Sequence, residues 1–61
     1  MVLLVTSKRA VNILPEEVDR ICLEYLLVVI TTKDRLPLHF DFKTEKEASN
    51  FYKDAVERLK S

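Results

Sequence analysis

The chain contains no glycine, no tryptophan, two prolines, one cysteine and one histidine. A lone cysteine cannot form an internal disulfide, and one thiol with one imidazole falls short of the ligands of a usual zinc site. We therefore expect a reducing compartment and interpret Cys22 as a small buried apolar residue rather than a nucleophile. Because glycine is missing, we expect turns wider than two-residue hairpins, built on Asn, Asp, Lys or Pro.

An excess of charge of one sign is also missing. Ten Lys and Arg residues balance ten Asp and Glu residues, so no global field attracts nucleic acid or anionic lipid. The first residues, "MVLLVTSKR", place an apolar run before the charges, which is the reverse of a secretory signal. These features predict a cytoplasmic protein that does not insert into a membrane.

Size and composition predict one small folded domain over residues 1–61. Hydrophobic residues make up 48% of the 61 residues and charged residues 33%. This chain is too apolar for intrinsic disorder, and too charged and interrupted for a membrane protein. Its length is near the lower limit for folding without disulfides or metal, so the core must be small.

The C-terminal third predicts an amphipathic helix. The segment "TEKE" fits a capping box, in which the Thr44 hydroxyl accepts from the Glu47 amide and the Glu47 carboxylate reaches back to Thr44. Asp54 and Arg58 form an acid-first pair at i, i+4. One apolar stripe follows the helical period: Ala48, Phe51, Tyr52, Ala55, Val56 and Leu59.

A β-hairpin is predicted immediately before this helix. The segment "LPLHFDFK" alternates, with Leu36, Leu38, Phe40 and Phe42 on one face. The preceding "LLVVITT" is rich in β-branched residues and joins it through residues 33–35. We expect the helix to cover Leu38, Phe40 and Phe42.

Residues 15–26 fit two interpretations. Pro15 suits the first position of a helix, and several apolar residues follow at helical spacing. Against a helix, Leu14 is a poor N-cap and Leu23 falls outside the apolar stripe. The same residues alternate as a strand would, and the residues alone leave both interpretations open.

The segment "VNILPEEVDRICLE" and the hairpin and helix that follow it resemble the second half of pleckstrin-homology and GRAM-type domains. The resemblance covers about residues 11–59 and consists of hydrophobic spacings and one turn. It implies that residues 18–24 form a strand. The predicted fold is then α+β, a small antiparallel meander with the C-terminal helix packed on one face, and the alternative is β-α-β-β-α. In such domains a basic pattern in the first hairpin binds lipid, and only residues 7–9 could correspond to it here.

The sequence offers little that could carry catalysis. It has no Gly-rich phosphate loop, no paired carboxylates on an apolar background and no metal-ligand spacing. His39 alternates outward with Asp41 and Lys43, where no nucleophile is expected within reach. We therefore predict no enzymatic activity, no cofactor, no metal and no small-molecule substrate.

The strands "VLLVT" and "LLVVITT" are apolar on both faces, whereas one helix covers one face. Curvature of the sheet or a second helix at residues 15–26 could cover the other. We favour burial against another copy or another protein, through Leu3, Val5, Leu27 and Val29.

This surface predicts a non-enzymatic interaction module, an adaptor or regulator that acts as a homodimer and binds another protein. The alternative is a nucleic-acid-binding module in which dimerisation joins two basic turns, with contacts from Lys8, Arg9, Lys33 and Arg35. The charge balance and the lack of outward-facing aromatic residues on the strands favour the first hypothesis.

Overall fold

The computed structural model describes residues 1–60. Its elements are β1 (Val2–Val5), β2 (Ala10–Ile13), a 3-10 turn (Pro15–Glu17), β3 (Val18–Glu24), β4 (Leu27–Thr32), β5 (Leu38–Asp41) and α1 (Glu45–Lys60). The architecture is small α+β, as the sequence predicts. Residues 18–24 are a strand, so the alternative β-α-β-β-α does not describe residues 1–60.

The strands form two antiparallel sheets, one of order β1-β2 and one of order β3-β4-β5. In the first, Leu4 lies opposite Val11 and Val2 opposite Ile13. In the second, Ile30 of the central strand lies between Ile21 and Leu38. The meander of the prediction is therefore present, but it is divided after β2 into two sheets.

Each sheet turns one apolar face toward α1. The buried residues are Leu4, Ile13, Ile21, Val28, Ile30, Phe40, Ala48, Ala55 and Leu59. Alternation along the strands places the inward residues of β4 and β5 under the helix, and the small Ala48 and Ala55 allow close approach of α1. The predicted helical stripe is therefore the face that packs on the sheets.

Leu36 departs from the predicted alternation. It is 84% exposed because it precedes Pro37 and lies outside β5, which begins at Leu38. Proline lacks the amide proton that a ladder requires, so the strand starts after it. Alternation predicted the buried side of Leu38, Phe40 and Phe42 correctly and extended it one step too far.

The turn between β3 and β4 forms without glycine. Tyr25 adopts φ 54° in the connection between Glu24 and Leu27, which pair directly. This is a two-residue hairpin, so the expectation of uniformly wider turns was wrong; the tyrosine takes the left-handed conformation that glycine would take at lower cost.

Threonine hydroxyls hold the two other hairpin connections, those between β1 and β2 and between β4 and β5. Thr6 Oγ1 accepts hydrogen bonds from the Lys8 and Arg9 amides, each at 3.2 Å. The buried Thr32 Oγ1 donates to the Arg35 carbonyl at 2.8 Å and accepts from the Arg35 amide at 3.3 Å. These side chains satisfy backbone groups of the two turns. The turns therefore form without a residue in the left-handed conformation.

The start of α1 confirms Thr44 as its N-cap. The Glu47 amide donates to Thr44 Oγ1 at 3.2 Å, and the Ala48 amide donates to the Thr44 carbonyl at 3.2 Å. Asp54 and Arg58 form the predicted ion pair at 3.5 Å.

Thr44→Ala should lower the free energy of unfolding by about 1 kcal/mol, because the Glu47 amide loses its acceptor. Urea denaturation followed by far-UV circular dichroism measures this, with Lys46→Ala, an exposed change in the same helical turn, as the control. A Thr44→Ala midpoint equal to that of the control would contradict the capping role.

Candidate interaction surfaces

Leu3 and Val5 lie on the outer face of β1, opposite the face that packs on α1. They are 44% and 61% exposed, whereas Leu4 between them is fully buried. Their neighbours across the hairpin are Asn12 and Ala10. These two positions give the hairpin an exposed apolar surface.

Leu27 and Val29 lie on the outer face of the central strand β4, and both are half-buried. Val29 is opposite Cys22 on one side and His39 on the other. Leu27 is flanked by Glu24 and Asp41 in the same way. The apolar centre of this face is thus bordered by polar side chains, and α1 packs on the opposite face.

The four predicted interface residues belong to two sheets rather than one. Leu3 and Val5 are in the two-stranded sheet, and Leu27 and Val29 are in the three-stranded sheet. All four point away from the core, as alternation predicted. We call these four residues the outer apolar positions.

Arg9 is held against β5. Its guanidinium donates to the His39 carbonyl and lies 4.6 Å from the centroid of the Phe40 ring. A cation over an aromatic face is attracted by the quadrupole of the ring. Arg9 therefore connects the β1-β2 turn to the edge of the other sheet.

Arg35 makes a second connection between the sheets. Its Nη2 atom lies 2.8 Å from Glu17 Oε1 and donates to the Asn12 carbonyl at 3.2 Å. Glu17 in turn accepts from the Leu14 amide at 3.1 Å. Of the four basic residues predicted as phosphate contacts, Arg9 and Arg35 thus have structural partners, and Lys8 and Lys33 are exposed.

An open depression of about 480 Å³ lies beside the β1-β2 turn. Its lining residues are Ser7, Lys8, Asp41, Phe42, Lys43 and Glu47. Two lysines and two carboxylates give it no excess of either charge, so its lining favours neither an anion nor a cation.

Cys22 and His39 occupy the outer face of the three-stranded sheet, in the same cross-strand row as Val29. Cys22 is a half-buried free thiol, rather than the core residue that the sequence predicts, and His39 is exposed as expected. Within residues 1–60, no three His, Cys, Asp or Glu side chains are close enough together to hold a metal ion.

Comparison of the chain with protein-family models, curated proteins and solved structures found no significant match. The resemblance to pleckstrin-homology and GRAM-type domains therefore stays a prediction. The α1 helix has 16 residues, and no helix within residues 1–60 has the length and hydropathy needed to cross a membrane.

Sequence reasoning missed the structural roles of arginine. Arg9, Arg35 and Arg58 each donate to a backbone carbonyl of a distant strand. The local sequence gives no signal for these bonds, because each depends on how the hairpin and the helix lie against the sheets. Only the Asp54–Arg58 spacing was visible beforehand.

Proposed function

We propose that this chain is a small non-enzymatic protein-interaction module, an adaptor or regulator that acts as a cytoplasmic homodimer and binds another protein. The observation that carries the proposal is the set of outer apolar positions, of which Val5 is 61% exposed. Since α1 packs on the inner faces, the outer faces are available to another chain. Apolar surface of this kind on a small protein marks an interaction site.

The non-enzymatic role is inferred from the sequence, which lacks a nucleophile paired with a base and lacks a phosphate-binding loop. The resemblance to the second half of pleckstrin-homology and GRAM-type domains is part of the same hypothesis. It is supported by the order of antiparallel strands followed by a C-terminal helix.

Nucleic-acid binding is the second hypothesis. It would use Lys8 and Lys33 in exposed turns, while Arg9 and Arg35 would have to leave their partners on Phe40 and Glu17. Because phosphate contacts make binding salt-dependent, a gel shift at low salt with single- and double-stranded oligonucleotides tests it. We expect no shift.

Self-association is tested by analytical ultracentrifugation and by melting at several protein concentrations. We expect the wild type to sediment as a dimer and its melting temperature to rise with concentration, because association stabilises the folded state by mass action. If the outer apolar positions form the contact between copies, Val5→Lys and Val29→Lys should weaken the dimer and leave the circular dichroism spectrum native, since each places a charge on an outer face.

Glu57→Gln, an exposed change on α1 that also raises the net charge by one, controls for the altered net charge. Sedimentation of the wild type as a monomer at every concentration, with concentration-independent melting, would contradict self-association. Retention of a partner on immobilised wild type but not on Val5→Lys would then assign the outer apolar positions to a different protein.

A further inference from the structure

The two sheets have four outer edges, and arginine guanidinium groups occupy three of them. Arg58 donates to the Leu3 carbonyl of β1 at 3.1 Å. Arg35 donates to the Asn12 carbonyl of β2, and Arg9 to the His39 carbonyl of β5. An unpaired strand edge is a template for pairing with another chain, and charged side chains placed on it oppose such pairing.

The fourth edge is that of β3, and its free backbone groups follow from the register. The Phe42 amide donates to the Leu26 carbonyl at 2.9 Å, so the even-numbered residues of β4 bond toward β5 and the odd-numbered ones toward β3. The partners of the odd-numbered residues on β3 include Cys22 and Glu24. The backbone groups of the intervening residues Ile21 and Leu23 therefore point outward.

In contrast to the other three edges, this one accepts no hydrogen bond from an arginine side chain within residues 1–60. Within residues 1–60, the side-chain hydrogen bonds and the backbone bonds of turns and caps do not involve Asp19, Ile21 or Leu23. Leu23 is 38% exposed although it is on the inner face, because no further strand lies beside it. The sheet thus ends at a strand with free amides and carbonyls and an incompletely covered apolar side chain.

The sequence of β3 is complementary to itself about Cys22. In an antiparallel pairing of two copies with Cys22 opposite Cys22, Arg20 of each copy lies opposite Glu24 of the other. Ile21 lies opposite Leu23 of the second copy, and these two residues carry the outward backbone groups that such pairing needs. Two ion pairs and a matched hydrogen-bonding pattern therefore result from one register.

This register also continues the apolar rows of both faces. On the inner face, the row runs through Leu38, Ile30 and Ile21 and continues with Leu23, Val28 and Phe40 of the second copy. Leu23 would then be flanked on both sides by apolar side chains. On the outer face, Val29 and Cys22 continue into Cys22 and Val29 of the second copy.

We propose that the outer edge of β3 pairs antiparallel with the same edge of a second copy, about a twofold axis at Cys22, and joins two three-stranded sheets into one of six strands. The inference rests on the self-association in the proposed function. It assigns the contact to a strand edge, and thereby leaves the outer apolar positions available for a different protein.

A charge-swap series measured by sedimentation tests the register. Arg20→Glu and Glu24→Arg each turn two opposite-charge pairs into like-charge pairs, so each should raise the dimer dissociation constant about tenfold or more. The double variant Arg20→Glu/Glu24→Arg restores opposite charges and should return the constant to near the wild-type value. Circular dichroism of the single variants shows whether they fold.

Native Cys22 supplies an independent test. Directly opposed residues of a non-hydrogen-bonded antiparallel pair have Cα atoms about 4.5 Å apart, within the range that a disulfide spans. Diamide, an azo oxidant that takes up the two thiol hydrogens as the sulfur–sulfur bond forms, should therefore convert the wild type to a covalent dimer. Non-reducing gel electrophoresis follows this.

The matched control is Cys22→Ser/His39→Cys. It carries a more exposed thiol two strands farther from the proposed axis, about 10 Å along the sheet at about 4.8 Å per strand. This variant should cross-link much more slowly than the wild type. Equal rates would identify collisional oxidation and contradict the β3 pairing.

The outcomes separate the two proposals. A wild-type dimer that is insensitive to the charge swaps overturns the β3 edge and leaves the proposed function in place, with the outer apolar positions as the contact. A dimer weakened by Arg20→Glu and restored by the double variant supports the edge. A wild type that is monomeric at all concentrations overturns both self-association and the edge contact.

Discussion

Phe40→Ala is expected to leave most of the protein unfolded at 25 °C. The Phe40 side chain is 2% exposed, and its ring centroid lies 4.9 Å from that of Phe51 on α1. Removing a buried aromatic ring costs about 3–5 kcal/mol. A core of this size supplies about the same free energy of unfolding, so little stability should remain.

Circular dichroism and urea denaturation measure the effect, and His39→Ala is the matched control. The His39 side chain is exposed, and it is the His39 carbonyl, not the ring, that binds Arg9. Exposed changes of this kind usually alter stability by less than about 0.5 kcal/mol. A Phe40→Ala variant with the control's melting temperature would contradict the packing of α1 on β5.

Phe51→Ala should follow in the same direction with a smaller effect. The ring of Phe51 lies between those of Phe40 and Phe42, with the second centroid distance 5.1 Å. Phe51 is only half-buried, so its removal uncovers less apolar surface than the removal of Phe40. A larger loss of stability in Phe40→Ala than in Phe51→Ala would show that the centre of the core lies on the sheet rather than on the helix.

The elements with strong local signals were predictable from the sequence. The cap at Thr44 and the apolar stripe ending at Leu59 belong to one helix, whose signals depend on residues only three or four positions apart. The alternation through Leu38 and Phe40 likewise identified the buried face of β5. In each case the period of the side chains matches the geometry of the element that they form.

Residues 15–26 could not be assigned from their own pattern. Their apolar residues fit both a helical stripe and an alternating strand, and β3 forms because Ile21 and Leu23 pair with β4. That pairing is a tertiary contact, which outweighs the weak helical preference that begins at Pro15. Pro15 starts only the short 3-10 turn that ends at Glu17.

For the candidate surfaces, the sequence predicted which face of a strand each residue occupies, but not how the strands are arranged. Alternation places Leu3, Val5, Leu27 and Val29 outward, and the structure bears this out for each residue. Alternation could not show that these four residues belong to two different sheets, because that division depends on where strand pairing stops after β2. Nor could it show which strand edge receives no arginine hydrogen bond, since those bonds join residues up to 55 positions apart.

Ile13→Ala is the second change expected to have a large effect, and it tests how the hairpin is attached. Ile13 is fully buried and pairs with Val2 across the β1-β2 sheet. A two-stranded sheet is marginally stable on its own in water. Its order must therefore come from inward side chains packed on the rest of the core, and those of Ile13 and Leu4 are fully buried.

Truncation of a buried isoleucine to alanine typically costs about 2–5 kcal/mol. Urea denaturation measures the total loss of stability, and amide hydrogen exchange shows which strands lose protection. We expect amides of β1 and β2 to exchange faster than those of β4, because the hairpin loses its anchor while the β4 ladder bonds to both neighbours. Asn12→Ala, an exposed change on the same strand, should leave both measurements near the wild-type values.

The result also bears on Arg35 and Arg58, which bond to the Asn12 and Leu3 carbonyls of the hairpin. If these exposed hydrogen bonds were enough to hold the hairpin, Ile13→Ala would leave its amide protection unchanged. Exposed bonds of this kind contribute little net stability, whereas the buried side chain contributes through apolar area and packing. Loss of hairpin protection in Ile13→Ala, together with its retention in Asn12→Ala, would therefore identify the core contact as the anchor and the arginines as protection for the strand edges.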